Sequence, residues 1–170
     1  MEIERKYLVQ NVPEPYLAYP FSQIEQGYLC TDPVVRVRRD GDAYYLTYKG
    51  RGLLAREEYN LPLTRDAYAH LARKADGLLL VKRRYRIPLA DAMGDGLSAE
   101  EKAALPPLTV ELDVFEGCYS GLILAEVEFF SIQQAQDFTP PSWFGQDVTL
   151  SGEYQNSRLS KGVSLPQITG

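Results

Sequence analysis

The sequence predicts a mainly β domain of the α+β class: an antiparallel barrel of eight strands, closed around a charged tunnel and flanked by a few short helices. Short segments rich in Val, Tyr, Thr and Leu alternate with Gly, Pro and Asp, which is the pattern of strands joined by turns. Charged residues occupy one face of nearly every such segment. A chain of 170 residues, 45% of them hydrophobic, is long enough to bury one core, and we assign residues 1–170 to one domain.

Eight segments have the composition and the alternation of strands. Short glycine-bearing connections at 40–42 and 50–52 join consecutive segments, so neighbours along the chain are expected to pair as antiparallel hairpins. The predicted strands are Glu2–Val9, Ile24–Cys30, Val34–Asp40, Ala43–Lys49, Ala55–Leu61, Leu78–Pro88, Leu108–Phe115 and Leu124–Phe130.

Helices are predicted only between or after strands. Thr64 is expected to cap a helix over Arg65–Ala75, whose face formed by Ala67, Leu71 and Ala75 would lie on the sheet. The other predicted helices are Ala99–Leu105, opened by a capping box of Ser98 and Glu101, a short helix from Ser131 to Phe138, and a last turn at Tyr154–Leu159.

Alternation places the charged side chains of each predicted strand on one face. Arg36 and Arg38 share a face opposite Val37, for example. For any single strand a solvated face is the ordinary interpretation, but such faces usually mix in Ser, Thr, Asn and Gln, and these are almost wholly ionic on strand after strand. This favours a barrel with the charges inward and the apolar faces outward, beneath the helices. The charged faces carry the acids Glu2, Glu4, Glu58, Glu111, Asp113, Glu126 and Glu128 and the bases Lys6, Arg36, Arg38, Lys49, Arg56, Lys82 and Arg84.

This set of side chains fits a metal-bound polyanion. Carboxylate oxygens suit hard cations such as Mg²⁺ or Mn²⁺, whereas Arg and Lys suit phosphate oxygens. A linear triphosphate with one or two cations would satisfy both kinds of charge, and a cation could acidify a water for attack on a terminal phosphorus. The sequence contains no GxxxxGK[ST] loop and no GxGxxG motif, so side chains would have to hold the phosphates.

Composition argues against several other functions. The 18 Lys and Arg residues against 23 Asp and Glu residues give a net charge of −5, which disfavours nucleic acid as the main partner. No apolar run is long enough to span a membrane, and the charged start of the chain predicts a cytoplasmic protein. Cys30 and Cys118 are expected to be buried free thiols, His70 a surface residue, and Trp143 with Phe144 a lid or packing element.

Several short motifs follow one another in a fixed order over nearly the whole chain. They are EIERK at Glu2–Lys6, QGYL at Gln26–Leu29, RVR at Arg36–Arg38, LTYKG at Leu46–Gly50, REEY at Arg56–Tyr59, KRRY at Lys82–Tyr85, ELDVF at Glu111–Phe115, AEVEF at Ala125–Phe129 and WFGQDVT at Trp143–Thr149. The first matches an ExExK signature, and the ordered series resembles the CYTH superfamily, or triphosphate tunnel metalloenzymes. The likeness is greatest to short bacterial members that hydrolyse inorganic tripolyphosphate.

The resemblance implies an eight-stranded tunnel and attack of water on a triphosphate, dependent on Mg²⁺ or Mn²⁺. It assigns the metal to seven carboxylates, those of Glu2, Glu4, Glu58, Glu111, Asp113, Glu126 and Glu128. It assigns the triphosphate to Lys6, Arg36, Arg38, Lys49, Lys82 and Arg84.

The catalytic residues expected within this set are Glu126 and Glu128, as the carboxylates that position the water, with Lys82 and Tyr28. Tyr28 has a second interpretation as a packed aromatic side chain. The expected partner is a small-molecule triphosphate, with no nucleic acid and no membrane, and the expected oligomeric state is a monomer or a homodimer.

The sequence departs from the family at three places. Asn60 stands where relatives often have a second Glu after Glu58, and its presence would leave the metal site with one carboxylate fewer. Arg158 and Lys161 are the only bases near a C-terminal segment that is often Lys-rich. Asp91–Pro107 is longer than expected and is predicted to be an insertion or a mobile excursion.

Other functions remain open at the level of sequence. One class comprises enzymes with other triphosphate substrates: a thiamine triphosphatase, a nucleoside triphosphatase or a class IV adenylate cyclase. The other is a module that binds polyphosphate without turnover, for instance because Asn60 removes a metal ligand. The four carboxylates Glu2, Glu4, Glu126 and Glu128 argue against a pure binder, since acids facing a polyanion have little use without a metal.

Overall fold

The computed structural model describes residues 1–165 and contains one sheet in which all strand pairs are antiparallel. Runs of alternating polar and apolar residues form its strands, as predicted. They are β1 (Glu2–Leu8), β2 (Phe21–Thr31), β3 (Val34–Asp40), β4 (Ala43–Lys49), β5 (Ala55–Arg56), β6 (Glu58–Pro62), β7 (Asp76–Pro88), β8 (Thr109–Phe115) and β9 (Ile123–Glu128).

The two outermost strands of the sheet are consecutive in the chain. The strand order is β5-β1-β9-β8-β7-β2-β3-β4-β6, and Glu57 alone separates β5 from β6. Because β5 pairs with β1 and β6 pairs with β4, the chain itself joins the two edges of the sheet. The expected single strand Ala55–Leu61 is therefore divided between two partners, and this division nearly closes the barrel.

The main apolar core lies outside the barrel. Ile87, Val110 and Val127, on the outer faces of β7, β8 and β9, are fully buried. Short helices and loops cover them, which confirms the predicted inside-out polarity. The helices are α1 (Arg65–Ala72), α2 (Leu89–Ala92), α3 (Ala99–Ala103), α4 (Ile132–Gln136) and α5 (Asn156–Leu159), with 3-10 turns at Glu14–Ala18, Gly94–Gly96 and Gly117–Tyr119.

The helix caps are those expected from the sequence, but the buried face of α1 is not the expected one. The Thr64 side chain accepts a hydrogen bond from the backbone of α1, and Ser98 and Glu101 form the expected capping box at α3. The buried residue of α1 is Tyr68, which donates a hydrogen bond of 2.7 Å to the side chain of Glu25. The expected face of small and aliphatic residues is only partly buried, because a larger aromatic ring one position along fills the space against the sheet.

The long connection after β7 packs on the barrel. Ala92, in α2, is fully buried, and its carbonyl accepts a hydrogen bond of 2.8 Å from Trp143 Nε1. The Trp143 ring stacks on Tyr16, with the ring centroids 5.2 Å apart. Asp91–Pro107 is thus part of the layer that covers the outer core, and Trp143 is a packing residue of that layer.

A second apolar cluster closes one end of the barrel. Beyond the ionic positions, the inward faces of the strands carry Leu8, Leu80, Phe115 and Leu124, all buried. α5 and the residues after it pack against them, and the Tyr119 hydroxyl donates a hydrogen bond of 2.7 Å to the Leu159 carbonyl. The polar interior is consequently blocked at this end.

The two cysteines differ from the expectation in their burial. Cys30 and Cys118 are free thiols, as predicted, but both are exposed. Cys30 follows an irregularity in the pairing of β2 and β3, and Cys118 lies in the 3-10 turn between β8 and β9, so no layer covers either side chain. His70 is exposed on α1, as predicted. Within residues 1–165, no helix has both the length and the apolar character needed to cross a membrane.

The turn that leads into β5 requires a glycine at position 52. Gly52 has a φ of 136°, and a Cβ there would lie 2.1 Å from the Ala55 carbonyl oxygen. We expect Gly52→Ala to lower the free energy of unfolding by at least about 2 kcal/mol, since backbone strain adds to a steric clash. Urea unfolding measures this.

Gly117 provides the matched control. Its φ is 68°, but a Cβ there would meet nothing within 4 Å, so Gly117→Ala should cost only about 1 kcal/mol of backbone strain. Equal losses in the two variants would contradict the role assigned to the turn at Gly52.

Candidate active site

The ionic interior encloses a cavity of about 150 Å³. Strand alternation brings most of the expected site residues to its wall, although they come from distant parts of the sequence. The lining residues are Glu2, Glu4, Lys6, Tyr28, Val34, Arg36, Arg38, Lys49, Arg56, Glu58, Arg84, Glu111, Glu126, Glu128, Gln155, Asn156 and Ser157.

One side of the cavity carries negative charge without enough positive charge beside it. Glu4 of β1 and Glu128 of β9 face each other across the strand ladder, and we call them the carboxylate pair. Within residues 1–165, no Lys or Arg nitrogen lies within 4.0 Å of Glu128, and Glu4 has only Lys6, at 3.9 Å. Burial raises the pKa of Glu4, and Glu126 raises it further. Glu128 is exposed at the mouth of the cavity, and partial burial of its carboxyl group raises its pKa, together with the charges of four neighbouring acids, the strongest of them Glu2.

The opposite side carries positive charge without acids. Arg36 and Arg38 of β3, the arginine pair, are buried, and in the described part of the chain neither has a carboxylate oxygen within 4.0 Å. Arg36 Nη2 donates to Thr47 Oγ1 at 3.2 Å, and Arg38 Nε donates to Gln26 Oε1 at 2.9 Å. Burial and the nearby Arg36 and Arg84 lower the pKa of Arg38 to about 10. Since β3 lies across the barrel from β1 and β9, the two pairs face each other over the cavity.

Ion pairs compensate other charges of the cavity. Lys6 Nζ lies 3.2 Å from Glu126 Oε1, and Lys49 Nζ lies 2.7 Å from Glu2 Oε1. Arg56, which the sequence placed on the inward face without a role, also contacts Glu2, at 3.2 Å. Burial alone would raise the pKa of Glu126, but the charges of Lys6 and Arg84 outweigh it and hold that pKa well below its usual value.

Lys82 and Asp113 do not reach the cavity wall. Both side chains are fully buried, and Lys82 Nζ donates to Asp113 Oδ2 at 2.6 Å. Arg84 donates to both oxygens of Asp113, at 2.7 and 2.8 Å. Alternation specifies the face of a strand but not the depth along the barrel, so the sequence could not separate this pair from the wall residues. Burial and the two nearby guanidinium groups, those of Arg84 and Arg38, lower the pKa of Lys82 to about 7, despite the opposing charge of Asp113.

Tyr28 faces the cavity and is also a packed aromatic side chain. It lines the cavity and is also packed in the apolar cluster at the closed end, with 2% of its surface exposed. Its hydroxyl accepts a hydrogen bond of 3.3 Å from Gln26 Nε2.

The site also contains neutral residues that the sequence did not single out as ligands. Gln26 and Thr47 are fully buried partners of the arginine pair. Asn60 accepts from Thr47 and donates to Glu58, and Asn156 accepts from Lys82 at 3.4 Å. Alternation along β2 and β4 places Gln26 and Thr47 on the inward face, but a search of the sequence for charged inward residues does not find these two neutral side chains.

The donor chemistry of the cavity fits a hard divalent cation. The oxygens of the carboxylate pair are the kind that Mg²⁺ and Mn²⁺ prefer, and a cation would offset the burial and the neighbouring negative charges that raise their pKa values. Within residues 1–165, no three Asp, Glu, His or Cys side chains converge tightly enough to form a metal site as they stand.

A family model for the CYTH domain matches residues 1–161. The chain belongs to the CYTH family. The resemblance seen in the sequence is thereby confirmed, and CYTH triphosphatases are generally metal-dependent.

Two relatives and one solved structure match this CYTH protein over nearly its full length. An inorganic triphosphatase of Nitrosomonas europaea is 38% identical over 97% of this chain and 99% of its own. An inorganic triphosphatase of Acetivibrio thermocellus is 32% identical over 94% of this chain and 93% of its own. The crystal structure of the inorganic triphosphatase NE1496 superposes with a TM-score of 0.65 at 34% identity, covering 98% of this chain and 97% of that one.

Partial burial of Glu128 and the acids around it lead to a prediction about stability. In metal-free buffer at pH 7, Glu128→Gln should raise the unfolding temperature of this CYTH protein, because it removes an acid that its neighbours disfavour. Because the pKa of Glu128 is raised in the folded state, folding is favoured at low pH, where this carboxyl group is protonated. That stability is lost as the pH rises through the raised pKa and the group becomes charged. The gain from the substitution should therefore be largest at pH 7 and vanish below the ordinary glutamate pKa.

Thermal unfolding in EDTA across this pH range measures the effect, with Glu14→Gln, an exposed acid on the outer 3-10 turn, as the control. If Glu128→Gln were as stable as the control at every pH, the repulsion would be absent.

Proposed function

We propose that this CYTH protein hydrolyses inorganic tripolyphosphate to pyrophosphate and phosphate, with one or two Mg²⁺ or Mn²⁺ ions. The observation that carries the proposal is the separation of unmatched charge inside the barrel, with the carboxylate pair on one side and the arginine pair on the other. A linear triphosphate with a divalent cation presents the complementary charges. The names of the two relatives support the choice of substrate.

The basic residues would bind the phosphates. In the described part of the chain Arg36 and Arg38 are not paired with an acid, so they can form charge-assisted hydrogen bonds with phosphate oxygens without first breaking an ion pair. Lys6, Lys49 and Arg84 are paired with acids and would share their charge between those acids and the substrate. The cavity thus favours a compact inorganic polyanion over a ligand of low charge.

The carboxylates that line the cavity, Glu2, Glu4, Glu58, Glu111, Glu126 and Glu128, would hold the cation. A bound cation would neutralise charge on the phosphates and lower the pKa of a nearby water. Among these six carboxylates Glu128 has the fewest cationic contacts, and we assign it with Glu126 to the positioning of that water.

The buried residues beneath the wall have a supporting role in this proposal. Asp113 engages Lys82 and Arg84, so we assign it to fixing these bases and not to direct contact with the metal. Lys82 was expected among the catalytic residues, but it lies beneath the wall, so we assign it, through its contacts to Asp113 and Asn156, to positioning the wall residues. Tyr28 remains in the proposed catalytic set as a phenol that lines the cavity.

Organic triphosphates are the weaker candidates. Among the described residues, Tyr28 is the only aromatic side chain on the cavity wall, and it is packed in the apolar cluster. A nucleobase or a thiazole ring would have to lie outside the cavity. We therefore keep thiamine triphosphate, nucleoside triphosphates and cyclisation of ATP as alternative activities to test.

Product analysis tests the proposal. Purified protein is incubated with tripolyphosphate, ATP or thiamine triphosphate, each with Mg²⁺, Mn²⁺ or EDTA, and phosphate, pyrophosphate and cyclic AMP are measured. We expect phosphate release that is fastest on tripolyphosphate and absent in EDTA. Cyclic AMP with pyrophosphate would identify a cyclase, and tight binding without product would identify a binding module.

Neutralising either member of the carboxylate pair should abolish this activity. Glu4→Gln and Glu128→Gln should each lower kcat/KM by at least about 100-fold, because each replaces a charged carboxylate ligand by a neutral amide that binds a hard cation more weakly. The exposed Glu14→Gln control should keep the wild-type rate. Near wild-type turnover in either cavity variant would refute the assignment of the pair.

A further inference from the structure

Two neutral side chains connect Arg36 to Glu58 across the inner face of the barrel. Arg36 Nη2 donates to Thr47 Oγ1 at 3.2 Å, and Thr47 Oγ1 donates to Asn60 Oδ1 at 2.6 Å. Asn60 Nδ2 then donates to Glu58 Oε1 at 2.8 Å. The register supports this chain of hydrogen bonds, because Arg36 lies opposite Thr47 in the β3-β4 ladder and Thr47 lies opposite Asn60 in the β4-β6 ladder.

The connection keeps two opposite charges apart. Arg36 is near enough to Glu58 for its charge to act on that carboxylate, yet within residues 1–165 no carboxylate oxygen lies within 4.0 Å of Arg36. Glu58 faces Lys49 instead, with 3.5 Å between Oε2 and Nζ. Since guanidinium and carboxylate groups form strong charge-assisted pairs, the free state of Arg36 needs a structural cause.

The amide side chain of Asn60 can explain why Arg36 does not pair with Glu58. The side chain of asparagine offers an acceptor and two donors, so Asn60 can accept from Thr47 and donate to Glu58 at the same time. A carboxylate at position 60 could not donate to Glu58 and would attract Arg36. The residue at which this chain departs from its family thus has a specific place in the network.

We propose that Asn60 and Thr47 are positioning residues that hold Arg36 away from Glu58 and keep its guanidinium available for phosphate. The inference rests on the proposed function and assigns a part of substrate affinity to two uncharged side chains. When either residue is removed, Arg36 turns to Glu58, and the substrate must then break an ion pair in order to bind.

Affinity for tripolyphosphate in EDTA tests this without any metal. Isothermal titration calorimetry should show that Asn60→Ala and Thr47→Val each weaken binding about tenfold, because each loses hydrogen bonds that orient a charged group. Thr47→Ser keeps the hydroxyl and should bind within about twofold of wild type. Asn11→Ala, at an exposed loop position, is the matched control and should also bind as wild type does.

A double-mutant cycle separates positioning from a general structural effect. Glu58→Gln should improve the affinity of Asn60→Ala several-fold more than it improves that of the wild type, because it removes the acid that captures Arg36. Asn60 is exposed, so its variants serve the test even if substitution of the fully buried Thr47 prevents folding.

The outcomes also separate this inference from the proposed function. If wild type binds and hydrolyses tripolyphosphate while Asn60→Ala and Thr47→Val bind it equally well, the positioning inference is wrong and the proposed function stands. If Glu58→Gln has the same effect in both backgrounds, Arg36 is not captured and the inference is also wrong. If wild type neither binds nor hydrolyses tripolyphosphate, both are wrong.

Discussion

Compensation of buried charge is the constraint on which the rest of this structure depends. Seven bases and seven acids were expected on the inner faces of the barrel, and charge held away from water is costly unless it is paired. Most of these side chains are paired, as in the contacts of Glu126 with Lys6 and Arg84. The pairing is incomplete at the buried arginine pair and at the carboxylate pair, in which Glu4 is half-buried and Glu128 is exposed. These two regions give the interior its capacity for a ligand that carries both signs of charge.

The outer layer makes such an interior possible. A barrel filled with ions gains little from apolar burial inside, so the hydrophobic contribution to stability comes from the outer faces of the strands and the helices on them. The apolar cluster at one end adds to it and anchors α5 near the cavity. As a result, substitutions on the cavity wall can change binding and catalysis without removing the core.

Period-two alternation was sufficient to predict the barrel, its inside-out polarity and most of the cavity wall, because it fixes which face a residue occupies. It could not show that the segment after Gly52 divides between two partners, since that division depends on closure of the whole sheet. It could not place Lys82 and Asp113 beneath the wall, since depth depends on strand tilt and register. Choosing site residues by their charge also missed Gln26 and Thr47, which matter because they accept hydrogen bonds from Arg38 and Arg36.

A crystal structure with tripolyphosphate and Mn²⁺ bound would test the central claim most directly, with the anomalous signal of manganese used to locate the ion. The account predicts a manganese peak beside Glu4 and Glu128, with phosphate oxygens bound to Arg36 and Arg38 across the cavity. Triphosphate bound on the outer surface of the barrel, or manganese bound away from the carboxylate pair, would contradict it.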